Sequence, residues 1–225
     1  MKSGNLHPWE VTPAEAERIQ ERLRHAVLCR DDFAQVTSIA GVDVGFVHGG
    51  AVAVAAIALL GFPDLDLRAH ALACRELAFP YIPGLLAFRL APAVLAAWAQ
   101  LPEPPDLLVC HGHGLAHPRR FGLACHLGLW TGVAAIGVAE SVLVGRHDPP
   151  GVERGSWTPL IDRGETVGAA VRTRRGVRPV YVSPGHRIGL ESAIRYVLAS
   201  ATGYRIPEPI RRARALASAF RRMRL

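Results

Sequence analysis

Between residues 36 and 79 three apolar runs follow one another with only short interruptions: VTSIAGVDVGF, AVAVAAIALLGF and LRAHALACRELAF. The breaks carry His-Gly-Gly and Pro-Asp, residue types that turn a chain tightly. Runs of this length joined by turns this short predict an antiparallel meander. Beyond residue 79 the chain changes character. PYIPG (80–84) breaks the pattern, and the segment after it, through Trp98, has helical apolar spacing. DLLVC (106–110) reads as a buried strand, PRRFGLACHLGLW (118–130) as a helix with proline at its start, and VAAIGVA (133–139) as a second buried strand.

A Gly/Pro-rich loop, HDPPGVERGSW (147–157), precedes two further strands, ETVGAAVRT and RPVYVSP. Helices from about Leu190 and Pro207 end the chain, and Arg211, Arg212, Arg221, Arg222 and Arg224 make the last of them (207–225) a basic tail. Near the other end, Thr12-Pro13-Ala14-Glu15 is a capping-box start that predicts a helix to about Cys29. Three antiparallel strands, then helices alternating with strands, give an α/β chain with a mixed central sheet. That is the element order of an RNase H-like fold. No boundary divides it, so residues 1–225 are read as one domain, long enough to bury its own core.

Composition narrows the setting. Half the residues are hydrophobic, but the apolar stretches are short or broken by Gly, Pro and charge, so no membrane span is expected. The first residues lack an apolar signal core, which makes the cytosol the expected location. Net charge is +7, and Lys2 is the only lysine. The positive charge is therefore carried by arginine, whose planar fork suits phosphate; a GC-rich coding bias would give the same residues. A polyanionic partner is favoured. Cys29, Cys74, Cys110 and Cys125 lack C-x-x-C spacing and sit in apolar sequence, which reads as buried, reduced thiols.

The stretch LLVCHGHGLAHPRR (107–120) carries the chemistry. An apolar run stops, and His111, His113, His117, Arg119 and Arg120 come after it without a carboxylate among them. Such a layout delivers polar groups to a site at a strand's carboxyl end, where the first strand contributes Asp43. If pairing continues past the run, His111 and His113 share a face.

At these residues the chain resembles the endonuclease V family, which cleaves nucleic acid 3′ to deaminated adenine (inosine). The matching stretches are GVDVGF (41–46), PYIPG (80–84), GHGLAHPRR (112–120), IGVA (136–139), PLIDRGE (159–165), GHR (185–187) and GYRIPEP (203–209), spread over roughly 38–212. The resemblance implies that Tyr81 is a wedge beside the lesion, supported by Pro83 and Gly84. It implies a flipped-base pocket from Gly84, Leu85, Gly112, Gly137, Val138 and Ala139, with His117 against it. Arg119, Arg120 and His186 would meet phosphates. Taken alone, Tyr81 reads as a core cap, the two arginines as a solvated first helical turn, and His186 as hydrogen-bonded structure.

The family's chemistry is hydrolysis by Mg²⁺ or Mn²⁺ held on carboxylates. Here the pattern breaks. Asp43 keeps the first acid, but Leu90 replaces a glutamate after Phe-Arg, His111 an aspartate before Gly-His-Gly, and Glu140 a lysine. Arg214 falls where the family carries an aspartate or histidine. Three readings stay open. The chain binds inosine-containing DNA or RNA with hydrolysis impaired or lost. It is a residually active nuclease in which Asp43, with Glu140 or with substrate phosphate, holds one ion. Or Asp43, His111 and Glu140, with His113 or His117 nearby, form a transition-metal set in a repurposed enzyme. The expected state is a monomer.

Overall fold

The computed structural model describes residues 6–224 apart from the side chains of Met223 and Arg224, so Lys2 and the Arg224 guanidinium lie outside the described residues. Eight strands form one sheet in the order β3-β2-β1-β4-β5-β8-β7-β6. The expected meander is present: β1 (Ser38–Val47), β2 (Val52–Gly61) and β3 (Leu67–Glu76) pair antiparallel in turn. β4 (Leu107–His111) then runs parallel to β1, and β5 (Ala134–Ala139) parallel to β4. Parallel neighbours need crossovers, here α2 (Leu86–Trp98) and α3 (Leu123–Thr131). β8 (Val180–His186) returns antiparallel to β5, and β7 (Glu165–Val171) and β6 (Trp157–Asp162) complete that side. This is the RNase H-like α/β arrangement expected.

Four local expectations are corrected. β6 begins on Trp157, the last residue of the segment read as a loop, and is a strand that the sequence reading does not assign: it carries Pro159 and exposes Trp157 and Ile161, features that an edge strand tolerates because one side is unpaired. α3 begins at Leu123 rather than at Pro118, since Arg120 adopts a φ of 56° and interrupts any helix there. The capping box at Thr12 and Glu15 is formed, but α1 (Pro13–Leu23) ends earlier than expected, passing into a 3₁₀ turn at Arg24–Ala26. Cys29 beyond that turn and Cys74 on the edge strand β3 are exposed, whereas Cys110 and Cys125 are buried; all four are free thiols. Among the described residues no helix is long and apolar enough to cross a membrane.

Strand periodicity sorts the core into two faces. Ala40, Val42, Leu108, Cys110 and Ala135 pack under α2 and α3. Ile39, Leu107, Val109, Ile136 and Val138 pack under α4 (Leu190–Ser200) and the start of α5 (Glu208–Arg224). The N-terminal segment is tied down separately: His7 Nε2 lies 2.6 Å from His126 Nε2, among Trp9, Phe88 and Trp130. Burial is the main cause lowering both imidazoles from their ordinary value.

α5 crosses β1 at a point that admits no side chain. A Cβ on Gly41 would lie 2.0 Å from the Pro209 backbone. Gly41→Ala is therefore expected to destabilise the fold by at least about 3 kcal/mol, the upper range for overpacking against immovable backbone. Urea unfolding checks it; a cost within experimental error of zero would mean that α5 does not pack this closely.

Candidate functional site

Period-two alternation assembles the centre. Ile39, Gly41 and Asp43 lie on one face of β1, Leu107, Val109 and His111 on the same face of β4, and Ile136 and Val138 on that of β5, with Glu140 next in step. Asp43, His111 and Glu140 thus lie side by side across three adjacent strands, all toward α5. His111 Nδ1 donates to Asp43 Oδ1 at 2.8 Å. Because a carboxylate can only accept, Nδ1 carries the proton and Nε2 the lone pair in the neutral ring. His113 does not share this face. The strand ends at His111, and His113 turns away to the Ser141 carbonyl at 3.0 Å.

Arg214 fills the space between the acids. Its Nε donates to Asp43 Oδ2 at 2.9 Å and its Nη2 to Glu140 Oε1 at 2.9 Å, with Nη2 also 3.1 Å from His111 Nε2. Arg205 holds the other oxygen of Glu140 at 3.1 Å and is itself fixed on the Arg178, Pro179 and Glu140 carbonyls. Burial alone would push the Asp43 carboxyl up, but the hydrogen bonds and charges of His111 and Arg214 outweigh it and hold it below the usual range. Glu140 is lowered likewise, burial being overcome chiefly by Arg214. The two acids raise Arg214 against its own desolvation.

A cleft of about 620 Å³ opens beside this centre, lined by Asp43, Tyr81, Leu86, Arg89, Leu90, His111, Gly112, Ala139 and Glu140 among others. A smaller pocket of about 180 Å³ adjoins it, lined by Gln20, Tyr81, Pro83, Gly84, His113, His117 and Ser141–Leu143. Tyr81 belongs to both and is 71% exposed, so it does not cap the core. Gly84, at φ 83°, takes a conformation that L side chains rarely adopt. Its carbonyl accepts from Gln20 Nε2 at 2.9 Å, His117 Nε2 at 2.8 Å and Arg119 Nη2 at 3.3 Å. Burial depresses His117 to about 4, so the ring that makes this bond is neutral.

The remaining expected residues divide. Leu85 is buried beside the pocket, where Leu86 forms the wall instead. Gly137 and Val138 lie behind both cavities, in the sheet. Arg119 is engaged by Gln20 and Glu17, and Arg120 by Asp162 and Glu165, so neither is a solvated helical turn. His186 pairs with Ala135, at the end of β5 opposite Ala139, about 13 Å along the strand. Its Nδ1 accepts the Leu28 amide at 3.3 Å, a structural contact away from the site. In the basic tail, Arg211 and Arg212 are tied to Glu208 within α5. Sequence reading missed Gln20, Arg205 and Ser141–Leu143. Gln20 left one signal, an amide between apolar residues on the inner side of α1.

A sequence profile described as Endonuclease V matches residues 21–215. The chain belongs to the endonuclease V family. It is 56% identical over 218 residues to endonuclease V of Roseiflexus castenholzii, covering 97% of each chain. The crystal structure of endonuclease V from Streptomyces avermitilis superposes with a TM-score of 0.91 at 45% identity, over 96% of each chain. The family includes the Ciona intestinalis enzyme, crystallised with DNA containing an inosine followed by a ribo-adenosine, with a TM-score of 0.83 at 28% identity and coverage of 96% and 100%.

The family's metal does not fit the side chains of this centre. Mg²⁺ demands near-octahedral oxygen ligands, and a transition ion would want the imidazole lone pair. Here both carboxylates are neutralised by arginine, and His111 Nε2 is already taken up between Arg214 Nη2 at 3.1 Å and Glu140 Oε1 at 3.4 Å. Leu90 lines the cleft with hydrocarbon. Among the described residues, no group of three or more His, Cys, Asp or Glu is disposed to hold an ion.

Two measurements test the pocket wall. Gln20→Ala removes donors from the Gly84 and Phe121 carbonyls and the acceptor of Arg119; a cost of about 2 kcal/mol in urea unfolding is expected. His117 is depressed, so its stabilisation is complete above its unfolded value and is lost as pH falls toward about 4. Between pH 7 and pH 5 it should forfeit about 2 kcal/mol, which lowers Tm by about 4–8 °C. A His117→Gln variant should melt with a smaller drop, and an equal drop would discount the ring.

Proposed function

We propose that this protein recognises inosine-containing DNA or RNA and holds the strand without hydrolysing it. The observation that carries the reading is a guanidinium seated on Asp43 and Glu140, where the family's reaction needs a divalent cation, beside a pocket edged by the exposed Tyr81. Tyr81, exposed at the junction of the two cavities, is placed to fill the gap left when a base leaves the stack, an event that costs a few kcal/mol. The Gly84 carbonyl, His117 and the exposed Val142 and Leu143 form a pocket mouth that is apolar with few polar groups. Such a mouth suits a planar base edge. The Ciona complex supports inosine as the base.

Fluorescence titration with inosine-containing and control strands tests recognition. A preference of at least tenfold is expected, unchanged by Mg²⁺, and Tyr81→Ala should weaken it about tenfold, a typical loss for one stacking contact. Cleavage is tested in parallel with a variant carrying Leu90→Glu, His111→Asp, Glu140→Lys and Arg214→Asp. Only the variant should cut, and only with Mg²⁺ or Mn²⁺. Metal-dependent cutting by the unaltered protein would favour a residually active nuclease instead.

A further inference from the structure

We propose that the Arg214 guanidinium is the resident cation of this centre and that a phosphate of the bound strand docks directly on it. The inference rests on the reading of the protein as a strand binder, and adds the group that replaces the metal. A guanidinium has five N–H donors. Nε serves Asp43, and Nη2 serves Glu140 and His111. Nη1 has no hydrogen-bond partner among the described residues, although the side chain is 39% exposed.

Those two free donors belong to a residue that lines a groove of about 500 Å³, shared with Glu140, Tyr204, Arg205, Arg211 and Ser218. Arg211 lies over the Tyr204 ring, 3.5 Å from its centre. Arg205 is locked by carbonyls and by Glu140, so it supplies fixed positive charge rather than a mobile hand. Glu140 lines both this groove and the cleft that holds Tyr81. A strand crossing from the wedge to the groove would pass over Arg214. There a phosphate oxygen would meet an Nη1 N–H on a side chain already aimed by two carboxylates. Such a charge-assisted hydrogen bond from guanidinium to phosphate forms without an ion.

The test has two arms. In the first, protein without nucleic acid is titrated with Mn²⁺ and followed by electron paramagnetic resonance. The unaltered chain should bind no stoichiometric ion, whereas Arg214→Ala, which leaves Asp43 and Glu140 uncompensated, should bind one. In the second, labelled inosine-containing and control strands are titrated in EDTA against the unaltered protein, Arg214→Ala and Arg214→Gln, whose folding is checked by thermal melting. Both variants should lose affinity about tenfold for the two strands alike, with a salt slope smaller by about one, because a phosphate contact carries no base information. Stoichiometric Mn²⁺ on the unaltered chain overturns the proposal, as does an unchanged affinity and slope in both variants. Equal binding of the two strands by the unaltered protein would instead sink inosine recognition, leaving the manganese arm to judge Arg214 by itself.

Discussion

The centre depends on how closely α5 approaches β1. With no Cβ at Gly41, the helix backbone at Pro209 rests against the strand. From there the two elements advance in step. Two strand residues carry the chain about 7 Å from Gly41 to Asp43, and five helical residues carry it about 7.5 Å from Pro209 to Arg214. An arginine at that position therefore meets the acid side by side. The register continues at Gly45, where an added Cβ would stand 3.6 Å from Ala217. A larger residue at 41 would lift the helix and separate the charges before any question of chemistry arose.

The electrostatic outcome is set by proximity. Asp43 is 8% exposed, and an isolated carboxylate so buried would rather be neutral than charged. Its two oxygens are instead met by an imidazole N–H and a guanidinium, and the charged form prevails. Glu140 extends the chain of charges to Arg205. In this centre the acids converge on arginine. The charges are coupled: Arg214 would be repelled by a lysine at 140, and a bare pair of acids without Arg214 would need some other positive charge. Truncating one member of such a cluster leaves the others unpaired, so Asp43, His111, Glu140 and Arg214 are expected to behave as a unit rather than as independent sites.

Much of this is legible in the chain itself. The meander, the parallel strands and the family all come from local signals: turn residues between apolar runs, and motifs in order along the chain. The common face of Asp43, His111 and Glu140 is a consequence of alternation. Contact between distant segments is another matter. The resemblance puts an aspartate or histidine where Arg214 falls, yet nothing local says that its guanidinium reaches Asp43 across 171 positions. Arg119 and Arg120 read as surface charges because their partners, Glu17, Asp162 and Glu165, are far away in the chain. β6 escaped because an edge strand with proline lacks the clean alternation that marks a paired one.

The carbonyl of Gly84 accepts from three donors on two other segments, Gln20 in α1 and His117 and Arg119 in the loop before α3. The loop that carries Tyr81 is thus immobilised when the chain folds. A ligand arriving here would meet Tyr81 on a loop already anchored, and the ordering entropy that a floppy loop would surrender on binding has been settled in advance. Association on such a surface can proceed as a single encounter governed by diffusion and charge, with no slow closure step between contact and seating.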